Sequence, residues 1–466
     1  MPVTFDLHQL ELPIQAAIDD FEQHADVNQI LNQLRTLVIQ FVEDLVACVI
    51  QQKLFCQEFL ATLKTLAGKS AFRFNGYKKT SIRLLSGRSI RIMSPHFKPI
   101  APKKRGRKSK KRKAKNGCHL GLTYSGFIDR TSILLSSSAI QAALLCPSFE
   151  IARQTLSSFG IEINVKTIQN LCRDLGTQAI RHRSEITLSE RDYVDGRVLA
   201  VFMDGGRLRE RIPKRGRRPV NQKRQGYHTD WREPIQIVIE WLNDDGSRDK
   251  NALPLYDATL DGIDKAFDML ESYLLQINVT KADKVAFCGD GARQYWKRFS
   301  ILAQQLNIKE HYEIIDYTHA KQNLFEIVDK LPKKMGAKAI SKTFDQWKND
   351  LWQGNLNAIK RQIRGLIKSP KKYKEAMKKF KNYFEKNNHR MQYNTFREKG
   401  LPTGSGCVES AIRRVINLRL KAPGTFWKRE TAETMLFLRS TLLCGRWNLM
   451  LKNILLANRN EWKHCH

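Results

Sequence analysis

Two aspartates stand where a chain could do chemistry with them. The runs Val201-Phe202-Met203-Asp204-Gly205-Gly206 and Ala286-Phe287-Cys288-Gly289-Asp290-Gly291 each close a short apolar stretch with an Asp-Gly step. Asp-Gly is also a common turn dipeptide, so one such step says little. Two of them, each at the end of a buried-type strand, say more, because side chains at strand ends of open α/β sheets are held firmly and cluster there. Carboxylates placed side by side repel unless a cation lies between them. A pair of Asp is therefore a natural divalent-metal site, and Mg²⁺ favours such oxygen donors.

A third acidic residue, Glu409, follows the turn Pro402-Thr403-Gly404-Ser405-Gly406 and sits in the first turn of a helix with Val408, Ala411, Ile412, Val415 and Leu418 as its apolar positions. Taken alone, it reads as a favourable charge at a helix N-terminus. Spacing by itself does not join Glu409 to the two aspartates.

The elements that must carry these residues are short strands alternating with helices: 198–203, 234–241, 284–288 and 312–315 as strands, with a helix at 264–275 between them. That alternation implies a sheet with covered faces. Upstream, residues 1–70 are helix-like. A polar–apolar alternation around Ser86-Gly87 points to a hairpin. The apolar residues of 34–54 (Leu34, Leu37, Val38, Phe41, Val42, Leu45, Val46, Val49) recur at helical spacing, which predicts a core face, not a membrane span. Residues 131–180 hold two helical patterns separated by Phe159-Gly160, the arrangement of a helix-turn-helix. Its second helix would offer Lys166, Thr167, Gln169, Asn170 and Arg173 to DNA, and the alternative is two packed helices with a glycine turn.

Charge sets the partner class. The chain has 466 residues with 80 Lys and Arg against 46 Asp and Glu, a formal charge of +34. That surplus speaks against an ordinary small-metabolite enzyme and predicts a polyanion, with nucleic acid first. Ten of the thirteen residues from Lys103 to Lys115 are Lys or Arg, and residues 330–400 carry 20 Lys and Arg against five Asp and Glu. The first run cannot bury itself and reads as an arm or linker. Within it, Arg105 and Arg107 flank Gly106 in the manner of a minor-groove hook, but no Pro follows, so the run reads as a non-specific phosphate arm. No basic-then-apolar leader opens the chain. The nine Cys form no C-x-x-C pair and suit a reducing interior. Cys118-His119 and His464-Cys465-His466 lack a zinc spacing.

The ordered set Asp204 (MDGGRLRER), Asp290 (GDGARQYW), Asp316 with His319 (IIDYTHAKQNL) and Glu409 (TGSGCVESAIRRVINLRLK) resembles bacterial insertion-sequence transposases of the DDE type. The resemblance runs from about residue 145 to 455 and takes in Trp427, Leu438-Arg439-Ser440 and Gly445-Arg446-Trp447. It implies an α/β RNase H-like catalytic domain with a helical insertion, preceded by a mainly helical N-terminal DNA-binding region. In that fold a central mixed sheet is flanked by helices. The first Asp lies on the first strand, the second at the end of a later strand, and the Glu on a C-terminal helix.

The chain then divides as 1–100 (mostly helical, with the hairpin), 101–130 (basic arm), 131–190 (helix-turn-helix-like), 195–325 (catalytic core), 326–400 (basic helical insertion) and 401–466 (catalytic helix and tail). The resemblance makes Asp204, Asp290 and Glu409 the catalytic metal ligands for Mg²⁺, with Mn²⁺ as substitute. Asp204 would bridge two ions about 3.5–4 Å apart that activate water and stabilise the leaving 3′ oxygen. Asp316 and His319 would support the site without binding metal.

Arg207 and Arg209, at the head of a basic stretch reaching Arg218, either contact backbone phosphates or form a solvated hairpin. Trp347, Trp352, Tyr373, Tyr383 and Phe384 either stack on unpaired bases or form helix core. The implied activity is cleavage and strand transfer on double-stranded DNA by a homo-oligomer, in the bacterial cytoplasm at the nucleoid and away from membranes. Two alternatives stay open: a non-catalytic DNA-binding derivative, and an RNase H-like structure-selective nuclease.

Overall fold

The computed structural model describes residues 10–100, 117–217, 220–222 and 225–460, so the basic run with Arg105 and Arg107, together with Arg218 and the terminal His464-Cys465-His466, lies outside the described residues. The chain divides into two compact units, residues up to 182 with 450 onward, and residues 183–449. Among the described residues no helix is long and apolar enough to cross a membrane.

The first unit opens with three helices, α1 (Glu11–His24), α2 (Val27–Phe55) and α3 (Gln57–Lys69), followed by a long antiparallel hairpin of β1 (Phe72–Arg83) and β2 (Ser89–Pro99). Asp26 caps α2 by accepting from the backbone N–H of Asn28 and Gln29, which satisfies donors that no helical carbonyl can reach. After α4 (Leu120–Tyr124) and the short strands β3 (Phe127–Ile128) and β4 (Thr131–Ser132) come α5 (Ile133–Leu145), α6 (Phe149–Ser158) and α7 (Val165–Ile180). Leu54, Leu63, Ile82, Phe97 and Leu120 form the buried centre between the helices and the hairpin.

The expected core face of α2 is turned the other way. Val38, Val42, Leu45, Val46 and Val49 are exposed, whereas Glu43 and Gln51 are buried. The reason is hydrogen bonding. The Glu43 carboxylate accepts from Ser86 N (2.6 Å) and Ser86 Oγ (2.7 Å) at the hairpin turn, and Gln51 exchanges two bonds with the backbone of Met93. Polar residues that interrupt the apolar pattern are the ones that dock the helix.

The second unit is built on a five-stranded mixed sheet of β5 (Val198–Gly205), β8 (Ile235–Leu242), β9 (Leu255–Thr259), β10 (Lys284–Gly289) and β11 (His311–Ile315), in the order β11-β10-β5-β8-β9. β10 runs parallel to both β5 and β11, while β8 is antiparallel to β5 and β9. The central strands are buried on both faces, which is why their sequences are almost unbroken apolar runs. Helix α8 (Arg183–Thr187) leads into the sheet. A two-stranded ribbon, β6 (Leu208–Pro213) with β7 (Tyr227–Arg232), links β5 to β8.

Helices α9 (Gly262–Gln276) and α10 (Arg293–Gln305) make the crossovers to β10 and β11, and α11 (Tyr317–Val328) leaves β11. A helical segment follows: α12 (Ala337–Trp352), α13 (Leu356–Leu366), α14 (Pro370–Lys379) with a π-helical turn at Phe380–Glu385, and α15 (Tyr393–Glu398). Then come α16 (Gly406–Ile412), continued by a π-helical turn at Arg413–Asn417, and α17 (Arg429–Leu443), while α18 (Trp447–Asn460) belongs from Met450 on to the first unit.

Candidate active site

The sheet register brings three acidic residues level. Phe202 pairs with Cys288, and Cys288 with Ile314. Two residues further on, Asp204, Asp290 and Asp316 end adjacent parallel strands, and Asp316 N donates to Gly289 O at 3.0 Å, so the ladder persists to that point. Neighbouring strands lie about 4.8 Å apart, which sets the spacing of the row.

Glu409 is delivered to the row by α16, which packs across β5 and β8. Two contacts fix that helix. A Cβ on Gly206 would stand 2.4 Å from Ile416 Cδ1, so glycine after Asp204 lets the buried Ile416 pack directly on the strand end. The buried Arg439 donates from Nε to the carbonyls of Arg414 and Val415, both at 2.9 Å, holding the end of the π-helical turn. The tail motif thus acts through backbone. Arg446 does likewise, donating to the carbonyls of Pro254, Thr187 and Leu253 and to Asp192.

Asp204 is half-buried, and its Oδ1 accepts from Gly205 N at 2.7 Å. Burial pushes its carboxyl up to about 6; the Gly205 bond and His319 oppose this, while the charges of Asp290 and Glu409 add to it. Asp290 accepts from Ala292 N at 2.9 Å across Gly291, whose φ of +101° a side chain would strain. Asp316 is satisfied on every side: it accepts from Thr318 N (2.5 Å), Ser405 N (3.0 Å) and Ser405 Oγ. Burial acts to raise its pKa, but the bonds involving His319, Ser405 and Thr318 hold the carboxyl well below the usual range. Tyr317 N donates to Thr403 O at 2.9 Å, so the turn before Glu409 is tied to the end of β11 twice.

His319 Nδ1 lies 3.5 Å from Asp316 Oδ2, and that carboxylate is the main cause of its raised pKa, with burial opposing and Asp290 and Glu409 adding. Ligand atoms of Asp316, His319 and Glu409 lie within 4.8 Å of one another. All five acidic and imidazole residues singled out in the sequence therefore share one site.

Two phenols line it as well. Tyr295 on α10 is buried and shifted upward by burial, then by the charges of Asp204, Asp290 and Glu233. Tyr383, in the π-helical turn of the basic segment, packs 3.3 Å from where a Gly291 Cβ would be, and burial with the charges of Asp290 and Asp316 raises it too. Both stay protonated and can donate hydrogen bonds. Tyr295 sits five residues after Asp290, on the same side of its helix as the buried Phe299, which is the only sequence signal for it. Trp347 and Phe384 are core, and Trp352 stacks with Tyr393.

Arg207 is exposed beside the site, whereas Arg209 lies over the rings of Trp231 and Phe426, with its guanidinium carbon 5.4 and 4.8 Å from their centroids. Trp427 pairs its backbone with Arg209 and Arg211.

The other predicted contacts are on α7 in the first unit. Lys166, Gln169 and Arg173 are exposed along one side; Asn170 is half-buried, and Thr167 is engaged with the capping Asn164 through its N–H (2.8 Å) and Oγ1 (3.0 Å). Arg173 pairs with Asp174 at 2.8 Å. Near the hairpin, burial pushes the Cys118 thiol up to about 12 and the His119 imidazole down to about 4, so both are neutral.

No protein-family model matches the chain, and no curated protein does. Among solved structures it is similar to the Drosophila P element transposase strand transfer complex, at 12% identity over 71% of this chain and 81% of that chain, with a TM-score of 0.25. A TM-score of 0.25 is too low to establish a shared fold, so the likeness carries no weight for function.

Proposed function

We propose that this chain is a DDE-type transposase with an RNase H-like catalytic domain, which cuts the ends of an insertion sequence and joins them to target DNA. One observation carries the reading: Asp204 and Asp290, on adjacent parallel strand ends, share electrostatic influence with Glu409 from a C-terminal helix. A central mixed sheet, a first Asp on its first strand, a second at the end of a later strand and a Glu on a late helix are what the sequence resemblance implies. The segment from α12 to α15 stands between the second Asp and the Glu, as a helical insertion would.

The donor set fits divalent ions. Asp204 is held half out of water with two like charges acting on it, and the Gly205 N–H and the His319 charge offset this only in part, so a hard cation suits the position. Mg²⁺ held by Asp204, Asp290 and Glu409, with Mn²⁺ as substitute, would activate water and stabilise the leaving 3′ oxygen. The protein's own residues set the geometry. Asp316 fastens the Glu409 turn to β11. His319, charged more readily than a free imidazole, balances the carboxylates. Tyr295 and Tyr383 offer protonated donors toward the same space. The exposed side of α7 would hold the element ends, with Lys166, Gln169 and Arg173 as its first contacts, and Arg207 would meet backbone phosphate near the cut.

The test is cleavage and end joining by purified protein on DNA carrying the gene's flanking sequences, with Mg²⁺ or with EDTA. Nicking at the element boundary that requires metal and disappears in Asp204→Asn is the expected result. Cutting at an undiminished rate by Asp204→Asn would show that the site is elsewhere. Cleavage without joining of pre-cut ends would make the protein a nuclease instead.

A further inference from the structure

We propose that the outer face of α2 is a self-association surface, taken by α2 of a second copy of this chain. Val27, Leu31, Val38, Val42, Leu45 and Val49 are each between 40% and 60% exposed. Their spacings of four, seven, four, three and four residues place them on one stripe, with Leu31, Val38 and Leu45 at strict seven-residue intervals. The stripe runs about 33 Å along the helix. Six aliphatic side chains, each roughly half exposed, leave on the order of 500 Å² of apolar surface in water, at the top of what a monomer carries. Two copies would cover about twice that, near the roughly 1,000 Å² a specific interface needs.

Charge selects the occupant. α2 carries Arg35, Glu43, Asp44 and Lys53 and is neutral, and residues 11–69 hold eight Asp and Glu against four Lys and Arg, in a chain of +34. A polyanion gains nothing here, and neither does an anionic membrane surface. Two strongly cationic copies repel over most of their surface, and this acidic region is where they can approach. The inward side of α2 is already committed through Glu43 and Gln51, so the stripe is not a core face awaiting rotation. A heptad-spaced stripe is self-complementary, as a two-fold interface requires.

The pairing would also organise the DNA-reading helices. Arg35 on α2 donates to Phe159 O in the turn between α6 and α7, and Glu162 in that turn donates to Ser86 O, whose residue Glu43 holds. Two joined α2 helices therefore carry two α6–α7 pairs at a fixed separation. That last step rests on the DNA-binding reading of α7, while self-association does not.

The experiment is the solution mass of the full chain by light scattering at micromolar concentration in high salt, without DNA or divalent metal. Wild type is expected at twice the chain mass. Val38 is the midpoint of the stripe, so it faces its own counterpart whether the helices pair parallel or antiparallel. Val38→Glu and Val38→Lys are each expected at the monomer mass with unchanged circular dichroism, and mixing the two should restore the dimer. A monomeric wild type, or a Val38→Glu chain that stays dimeric, overturns the proposal. Because no DNA or metal is present, either result leaves the transposase reading where it was.

Discussion

Asp204 and Asp316 flank the same strand, β10, at the same level, yet their surroundings are opposite. Asp204 has one backbone N–H, partial burial and two like charges acting on it, and its carboxyl rises to about 6. Asp316 is more deeply buried and still falls well below the usual range, because three donors and a nearby imidazole point at it. Burial alone therefore does not decide ionisation here; the donor count does. The contrast separates a carboxylate left short of a partner from one whose partners are all supplied by the fold. On the proposed reading the first would take a cation, while the second fastens the Glu409 turn.

The sharpest way to break this contrast is to neutralise each residue in turn. Asp204→Asn is expected to reduce metal-dependent cleavage to the level of the EDTA control while leaving binding of element ends unchanged, read by nicking and by gel shift on the same DNA. Its fold should survive, because the variant removes a charge that the Gly205 N–H and His319 balance only in part. If cleavage and folding were lost together, Asp204 would be structural after all.

Asp316→Asn should do the reverse. It keeps the shape but removes the charge that Ser405 and Thr318 address, and hydrogen bonds to charged groups contribute about 1.5–3 kcal/mol each. A loss of that order in urea unfolding is expected, with cleavage reduced through a loosened Glu409. Ser405→Ala should reproduce part of it, since Ser405 Oγ and N both reach Asp316 Oδ2. An Asp316→Asn protein as stable as wild type would mean that the turn is held otherwise.

The pH dependence of stability should also run in opposite directions. Asp204 has a folded value near 6 against an ordinary 3.8, so the folded state binds its proton more tightly. Its contribution is present below about pH 4 and is lost as pH rises through 6. Asp316 is depressed, so its contribution is present above the ordinary carboxylate range and is lost only as pH falls below it. In metal-free buffer, Asp204→Asn should therefore gain stability relative to wild type between pH 5 and 7, and Mg²⁺ should shrink the gap. The deficit of Asp316→Asn should stay constant over that window. Parallel slopes for the two variants would remove the distinction.

Much of this site is legible in the residues, and what is not has physical causes. The strands before Asp204 and Asp290 announce themselves because strands buried on both faces need unbroken apolar runs. Glu409 is visible only through resemblance, since a carboxylate in a first helical turn has an ordinary electrostatic reason to be there. Tyr383 arrives from a distant basic segment, and no local period marks a side chain that reaches a site through tertiary packing. The α2 stripe shows the limit of periodicity. Helical spacing says that one face is apolar, but not whether it meets the chain's own core, and Glu43 and Gln51 decide that by hydrogen bonds no pattern displays.

The glycines beside the two carboxylates extend the comparison to the smallest expected effect. On the Asp204 side, Gly206 is closely packed, with Ile416 where its Cβ would be. On the Asp316 side, Gly404 and Gly406 flank Ser405 with nothing within 4 Å of a built Cβ, and neither takes a positive φ. The fold gives no reason for glycine at 404 or 406, and alanine there should stabilise by about 0.4–1 kcal/mol through the unfolded chain. Glycine three residues before Glu409 then makes sense as room for an approaching backbone from outside the protein. Gly406→Ala should thus raise the unfolding midpoint slightly and lower cleavage by weakening DNA engagement, seen as a higher substrate requirement at saturating metal. Unchanged cleavage in a stabilised Gly406→Ala protein would show that this turn does not meet the substrate, and would leave Asp316 and Ser405 as purely internal fasteners of the Glu409 helix.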